Sequence, residues 1–169
     1  SRDDETAQSA VQAALTGHLV FTTVHANNVF DVVGRFLHMG VDAYSLAAAL
    51  NGIVAQRLLR INCQHCAVDI EPDLAQLEAG LTPAQVQGWT FRAGRGCGHC
   101  RGVGYKGRKA VAEVLLLDDA LREMIVAQAP ISALKERAAI AGLQPLREAA
   151  LQSVANGETT LEEIIRVAG

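Results

Sequence analysis

All four cysteines of the 169-residue chain fall into two C-x-x-C pairs, Cys63-Gln64-His65-Cys66 and Cys97-Gly98-His99-Cys100. Two residues between thiols let both sulfurs of one turn reach the same ion, and two such turns complete a tetrahedron around Zn²⁺. The gap between the pairs, about thirty residues, is wider than in compact zinc ribbons but can be spanned by a small insert. Four ligands leave no opening for a substrate, so the expected site is structural. His65 and His99 are then spare donors. Four thiolates around Zn²⁺ carry a net charge of about −2, which the neighbouring basic residues partly compensate. Two other chemistries compete. Two disulfides would suit an oxidising compartment, for which nothing in the chain argues. A thioredoxin-like redox centre needs one C-x-x-C and not two.

Two histidines frame a second candidate. His18 and His25 lie at the two ends of residues 19–24 (LVFTTV), a β-branched run of strand length. In a doubly wound sheet, ligands bind beyond the carboxyl ends of the strands. Thr23, His25 and Asn27 would then face an anionic ligand. The competing reading makes them loop polars and a helix cap. The sequence contains no G-x-x-x-x-G-K-[ST] phosphate loop, Ser-His-Asp constellation or zinc-protease pattern. The chain by itself holds no self-contained catalytic site.

The elements that must position these residues follow from periodicity and punctuation. An Ala-rich helix is expected over 5–16, stopped by Gly17. A second helix starts at Asn27 or Asn28, runs to Leu37 and closes at Gly40. A third is expected over 45–54, and a strand over 57–61 (RLLRI). Between the cysteine pairs the charge is bipolar. Asp69, Glu71, Asp73 and Glu78 come with no Lys or Arg between Gln64 and Thr90; Arg92, Arg95, Arg101, Lys106, Arg108 and Lys109 follow before the next acid, Glu113. Thr82-Pro83-Ala84 reads as a helix start. A Gly-rich turn and the apolar strand AVAEVLLL occupy 104–117. Helices are then expected after Asp118 or Asp119, over 131–141 and over 145–155, and a capping box Thr160-Leu161-Glu162-Glu163 opens the last one. The class is α/β. The division is residues 1–62, an insert at 63–103, a return strand at 104–117 and a helical subdomain at 118–169.

Composition bounds the function. Half of the residues are hydrophobic and 20% are charged, enough for a packed core. Aromatic residues make up 4%, so Ala, Val, Leu and Ile must build that core. A net charge of −3 disfavours a globally basic nucleic-acid binder, and no apolar run approaches the roughly 20 residues of a membrane span. The first residue is Ser1, not Met, so the chain reads as part of a longer protein.

Several motifs occur in a fixed order. Arg2-Asp3-Asp4-Glu5-Thr6-Ala7 resembles the R-D-x-E-T-A tail that follows the Walker B segment of the secretion and pilus-assembly ATPases. The stretch from Gly17 to Asn27 resembles their histidine box, and Ala55-Gln56-Arg57-Leu58 their strand into the first C-x-x-C. Gly96-Cys97 through Gly107-Arg108 resembles the exit of their tetracysteine module, and Glu158-Thr159-Thr160 to Arg166-Val167 their closing motif. Ser1, Gln64 and Ala112 depart from the usual residues. The resemblance covers Arg2 to Val167 and implies the C-terminal part of a RecA-like domain with a tetracysteine zinc insert and a C-terminal helical bundle. It implies His25 near the γ-phosphate as a catalytic residue, with Arg2, Thr6, His18 and Arg57 supporting the nucleotide site or a subunit interface. The metal set is Cys63, Cys66, Cys97 and Cys100. Implied for the full-length protein are ATP with Mg²⁺, a homo-hexamer, an inner-membrane platform partner and a cytoplasmic location peripheral to that membrane. Anionic lipid contact would run through the basic residues from Arg92 to Lys109, and no nucleic acid is expected. The chain alone is expected to be inactive toward ATP. One rival is a zinc-stabilised adaptor, since Cys97 to Gly104 (CGHCRGVG) also resembles the zinc repeat of DnaJ-type chaperones. Another is a nucleic-acid-binding zinc ribbon, which the low aromatic content and the acidic half of the insert disfavour.

Overall fold

The computed structural model describes residues 2–72 and 80–168. The side chains of Arg2 and Asp3 and the insert residues Asp73 and Glu78 lie outside the described residues. The fold is mixed α/β. Helix α1 spans Arg2–Leu15, α2 Val29–His38 and α3 Ala43–Ala49. Strand β1 (Gly52–Asn62) pairs with β4 (Tyr105–Leu116), and β2 (Ala67–Asp69) with β3 (Arg92–Gly94). Helices α4 (Asp119–Val126), α5 (Ile131–Ile140), α6 (Leu146–Ala155) and α7 (Leu161–Ala168) follow. No described helix is long and apolar enough to cross a membrane.

Helix boundaries follow local chemistry. Asn28 Oδ1 accepts the N–H groups of Phe30 and Asp31, and Asp42 and Asp118 cap α3 and α4 in the same way. Gly17 and Gly40 terminate α1 and α2 with φ of +93° and +81°, where a Cβ is disfavoured.

Chain contacts separate two compact units. The first comprises Ser1–Ala55 and Glu113–Gln144; the second comprises Gln56–Ala112 and Pro145–Gly169. In the first, α2 turns Val29, Phe30, Val33 and Phe36 inward, where they meet Leu46 of α3, Ile53, Leu115, Leu121 and Leu134. In the second, Leu59 and Val111 pack with Ala150, Val154, Leu161 and Ile164, flanked by Trp89 and Phe91. The helices after residue 118 are therefore shared out, α4 and α5 to the first unit and α6 and α7 to the second. Each pair buries its apolar stripe on a different core.

Three elements differ from the sequence reading. Residues 19–24 form no strand; the backbone is irregular, and Leu19 and Phe21 are 79% and 89% exposed. β-branched residues favour a strand only where a partner strand and a packed face exist. The third helix ends at Ala49, and Gly52, Ile53 and Val54 belong to β1. Gly52 and the β-branched pair Ile53-Val54 suit the ladder with β4 better than a helix interior. Thr82 and Gln85 do exchange a capping pair of hydrogen bonds, Gln85 Oε1 accepting from Thr82 N–H and Thr82 Oγ1 from Gln85 N–H. Only turns follow, ending at Gly88 with φ +82°.

Candidate functional site

The cysteines are brought together within the second unit. Strands β2 and β3 run antiparallel with Ala67 opposite Gly94, Val68 opposite Ala93 and Asp69 opposite Arg92. This ladder begins one residue after Cys66 and ends shortly before Cys97, so it sets the two knuckles side by side. Cys66 N–H and Ala67 N–H both donate to the Cys63 carbonyl, curling the first knuckle. In the second, a short 3₁₀ turn over Gly98–Cys100 returns the chain, and Gly102 N–H donates to the Cys97 carbonyl at 2.9 Å. Cys63 N–H donates to the Gly104 carbonyl and ties one knuckle to the exit of the other.

All four sulfurs lie within 4.8 Å of one another. Sγ of Cys63 is 3.9 Å from Sγ of Cys97, Cys66 is 3.9 Å from Cys100, and Cys97 is 3.7 Å from Cys100. No pair is bonded. A tetrahedral zinc with Zn–S bonds of about 2.3 Å requires sulfurs about 3.8 Å apart. The donor set and its spacing therefore fit Zn²⁺. His65 and His99 stay outside the set; their rings stack on each other at 3.8 Å and 12°.

The thiols are not equivalent. Burial pushes Cys100 up, but the N–H groups of Cys97 and Gly104, aided by the neighbouring sulfurs, outweigh it and bring the thiol down to about 6. Burial and the surrounding sulfurs push Cys66 up to about 11. N–H donors aimed at Cys100 are what a thiolate ligand needs.

Two glycines make the fit possible. A Cβ on Gly94 would lie 1.9 Å from the Gly104 carbonyl oxygen, and one on Gly104, at φ +78°, would lie 2.4 Å from the Gly94 oxygen. Both obstacles are backbone and cannot swing aside. Gly104→Ala should therefore cost at least about 3 kcal/mol in urea unfolding and release bound metal. Gly98, where an added Cβ would meet nothing within 4 Å, serves as control: Gly98→Ala should stay within about 0.5 kcal/mol. Equal behaviour of the two variants would remove this account of the knuckle.

The bipolar insert is partly self-neutralised. Arg92 lies 3.2 Å from Asp69 and donates to the Ala67 carbonyl, and Lys109 pairs with Glu158 at 2.5 Å. Arg95, Arg101, Lys106 and Arg108 remain exposed.

The histidine-box residues are placed less completely. His25 and His18 are exposed, and His18 Nδ1 lies 3.3 Å from both Thr16 Oγ1 and the Ala13 carbonyl. Val24 and Ala26 lean on the first core, which turns His25 and Asn27 outward. With no strand over 19–24, the rule for carboxyl ends of strands lends His25 no support. Thr6 is exposed on α1, and Arg57 Nη1 donates to the Gln56 carbonyl at 3.0 Å.

The residue that sequence reasoning missed is Glu163. It sits where a capping box would use it, and its N–H does donate to Thr160 Oγ1. Its carboxylate is fully buried and turns elsewhere, accepting from Arg60 N–H and Nε at 2.9 Å each and from Arg166 Nε and Nη2. Burial raises the carboxyl's pKa, but the two arginines overcome that and hold it at about 2. Arg60 also lies 4.3 Å over the Tyr105 ring, whose hydroxyl meets Thr160 Oγ1 at 2.6 Å. The i,i+3 spacing of Glu163 and Arg166 was the visible signal; Arg60, 103 positions away, was not.

This tetracysteine α/β chain has clear relatives. The pattern of the Type II/IV secretion system protein family matches residues 1–166, and the chain belongs to that family. It is 45% identical to the type IV pilus assembly ATPase PilB of Thermus thermophilus over 97% of this chain and 19% of that protein. It is 40% identical to the type II secretion system ATPase E of Vibrio cholerae over 98% of this chain and 33% of that protein. The chain thus spans about a fifth to a third of the length of these two relatives. Its fold is similar to the crystal structure of the pilus retraction motor PilT with bound ADP, at a TM-score of 0.61 and 23% identity, covering 98% of this chain and 37% of that one.

Proposed function

We propose that the chain is the C-terminal portion of a hexameric, cytoplasmic ATPase that couples ATP hydrolysis to type II secretion or type IV pilus assembly. The observation that carries this reading is the family match over residues 1–166, with a pilus assembly ATPase and a type II secretion system ATPase among the relatives. The RecA-like character of residues 1–62 with the return strand 104–117, the inner-membrane platform partner and a peripheral place at that membrane belong to the same proposal. So does lipid contact through the exposed arginines and lysines between Arg92 and Lys109. Cys63, Cys66, Cys97 and Cys100 would hold structural zinc, which cross-links the two knuckles and supplies no reaction chemistry.

The sequence contains no G-x-x-x-x-G-K-[ST] loop to cradle a triphosphate. The nucleotide would be gripped by residues outside this sequence. His25 would donate a hydrogen bond to a phosphate oxygen from the outward side of the 24–27 segment. Arg2, Thr6, His18 and Arg57 would support the site or a subunit interface.

The chain alone should bind zinc and show no ATPase activity above background. In the full-length protein, His25→Ala should lower kcat about a hundredfold with zinc content unchanged. Wild-type turnover of that variant would strike His25 from the site, and robust turnover by the chain alone would overturn the division of labour.

A further inference from the structure

We propose that Glu113 is a positioning residue for His25, holding the segment that carries it from inside the first unit. The proposal rests on the reading of His25 as a group that faces the nucleotide. Along β4 the buried residues alternate as Val111, Glu113 and Leu115, so a carboxylate occupies an inward position flanked by apolar ones. Its residue is only 5% exposed. A buried carboxylate is costly unless it is hydrogen-bonded. Oε1 of Glu113 accepts the N–H of Val29 at 2.9 Å across 84 positions of sequence. Val29 is the first residue of α2 and is fully buried.

The first turn of α2 is thereby closed from two directions. Asn28 takes the N–H groups of Phe30 and Asp31 locally, and Glu113 takes that of Val29 from a distant strand. A local cap forms a helix end but does not fix where that end lies in the fold; a bond from β4 does. A carboxylate also suits the positive end of the helix.

His25 lies four residues before Val29. Val24 and Ala26 press into the first core, and Glu113 pins the exit of the segment. An exposed imidazole is thus mounted on backbone that is held at both ends. A misplacement of about 1 Å at a reacting group can cost about a hundredfold in rate. That cost explains why this inward position holds an acceptor where leucine would pack.

The test uses the full-length protein. Glu113→Leu fills the space but accepts no hydrogen bond; Glu113→Gln keeps an acceptor. Glu113→Leu should lower kcat at least about tenfold, with KM for MgATP within about threefold and zinc content unchanged, while Glu113→Gln stays within about threefold of wild type. In the His25→Ala background, Glu113→Leu should cause no further loss. Without nucleotide, amide exchange in a peptide covering residues 24–30 should speed up at least about tenfold in Glu113→Leu, and a peptide covering residues 63–66 should not change. Equal losses in both backgrounds, or unchanged exchange over 24–30, would overturn the role of Glu113. Wild-type turnover in His25→Ala would instead strike the assignment of His25, and the exchange result would still judge whether Glu113 holds the segment.

Discussion

Cys100→Ser should reduce bound zinc from one equivalent to near zero and unfold the second unit. Cys63 and Cys100 are buried, so removing the ion leaves four mutually close sulfurs with no shared ligand, held only by the short ladder and a few hydrogen bonds. Structural zinc contributes about 10–16 kcal/mol of apparent binding free energy at neutral pH, as much as the whole stability of a typical domain. The consequences reach the core through Asn62, next to Cys63. Its N–H donates to the Glu158 carbonyl, and its Nδ2 to those of Arg92 and Gly157. Trp89, the single tryptophan, packs beside this second core and provides the probe. Chelation or Cys100→Ser should shift its emission to the red. The first core, built from α2, α3 and the strand ends, contains none of these residues and should keep its helical signal. Because the ligands bind as thiolates, metal affinity should fall as pH falls, and metal uptake should release protons. Full zinc content in Cys100→Ser, with unchanged Trp89 emission, would end the metal reading.

Glu163→Ala should destabilise the second unit by about 3–5 kcal/mol, the range for breaking one partner out of a buried ion pair. The loss leaves Arg60 and Arg166 facing each other without the carboxylate, and the Arg60 N–H without its acceptor. The pH dependence has a definite sign. The folded carboxyl titrates at about 2 against 4.5 when free. Its contribution, about 3 kcal/mol for that shift, is therefore fully present above pH 4.5 and lost as pH falls toward 2. Urea unfolding followed by Trp89 should show wild type weakening across that window, and Glu163→Gln should flatten it. A cost below about 1 kcal/mol at pH 7 would show that solvent, which reaches both arginines, already screens the network.

Both predictions concern features with different legibility. The cysteine cluster could be read directly, because C-x-x-C spacing is a local geometric requirement and needs no knowledge of the fold. What lay hidden was how Cys66 and Cys97 meet. The three-residue ladder of β2 with β3 does that, and short strands bearing Ala, Val and Gly carry little pattern. Glu163 looked like a capping residue because its immediate neighbours fit a capping box; Arg60 claimed the side chain instead. Glu113 interrupts an apolar strand, and its reason lies at Val29.

Helix starts at Asn28 and Asp118, the stops at Gly17 and Gly40, and the paired cysteine knuckles were determined by the amino-acid order alone, since each depends on atoms a few residues apart. Pairing was decided only in three dimensions. Residues 19–24 have strand composition but no ladder, whereas residues 52–54, which periodicity assigns to a helix, join one. The helices after residue 118 were divided between two cores by which apolar stripe found which strand face. Hydrogen bonds within one turn cost little chain entropy and form wherever the residues permit, but ladders, buried carboxylates and cores need partners about 25 to 100 positions away, and only the folded chain supplies them.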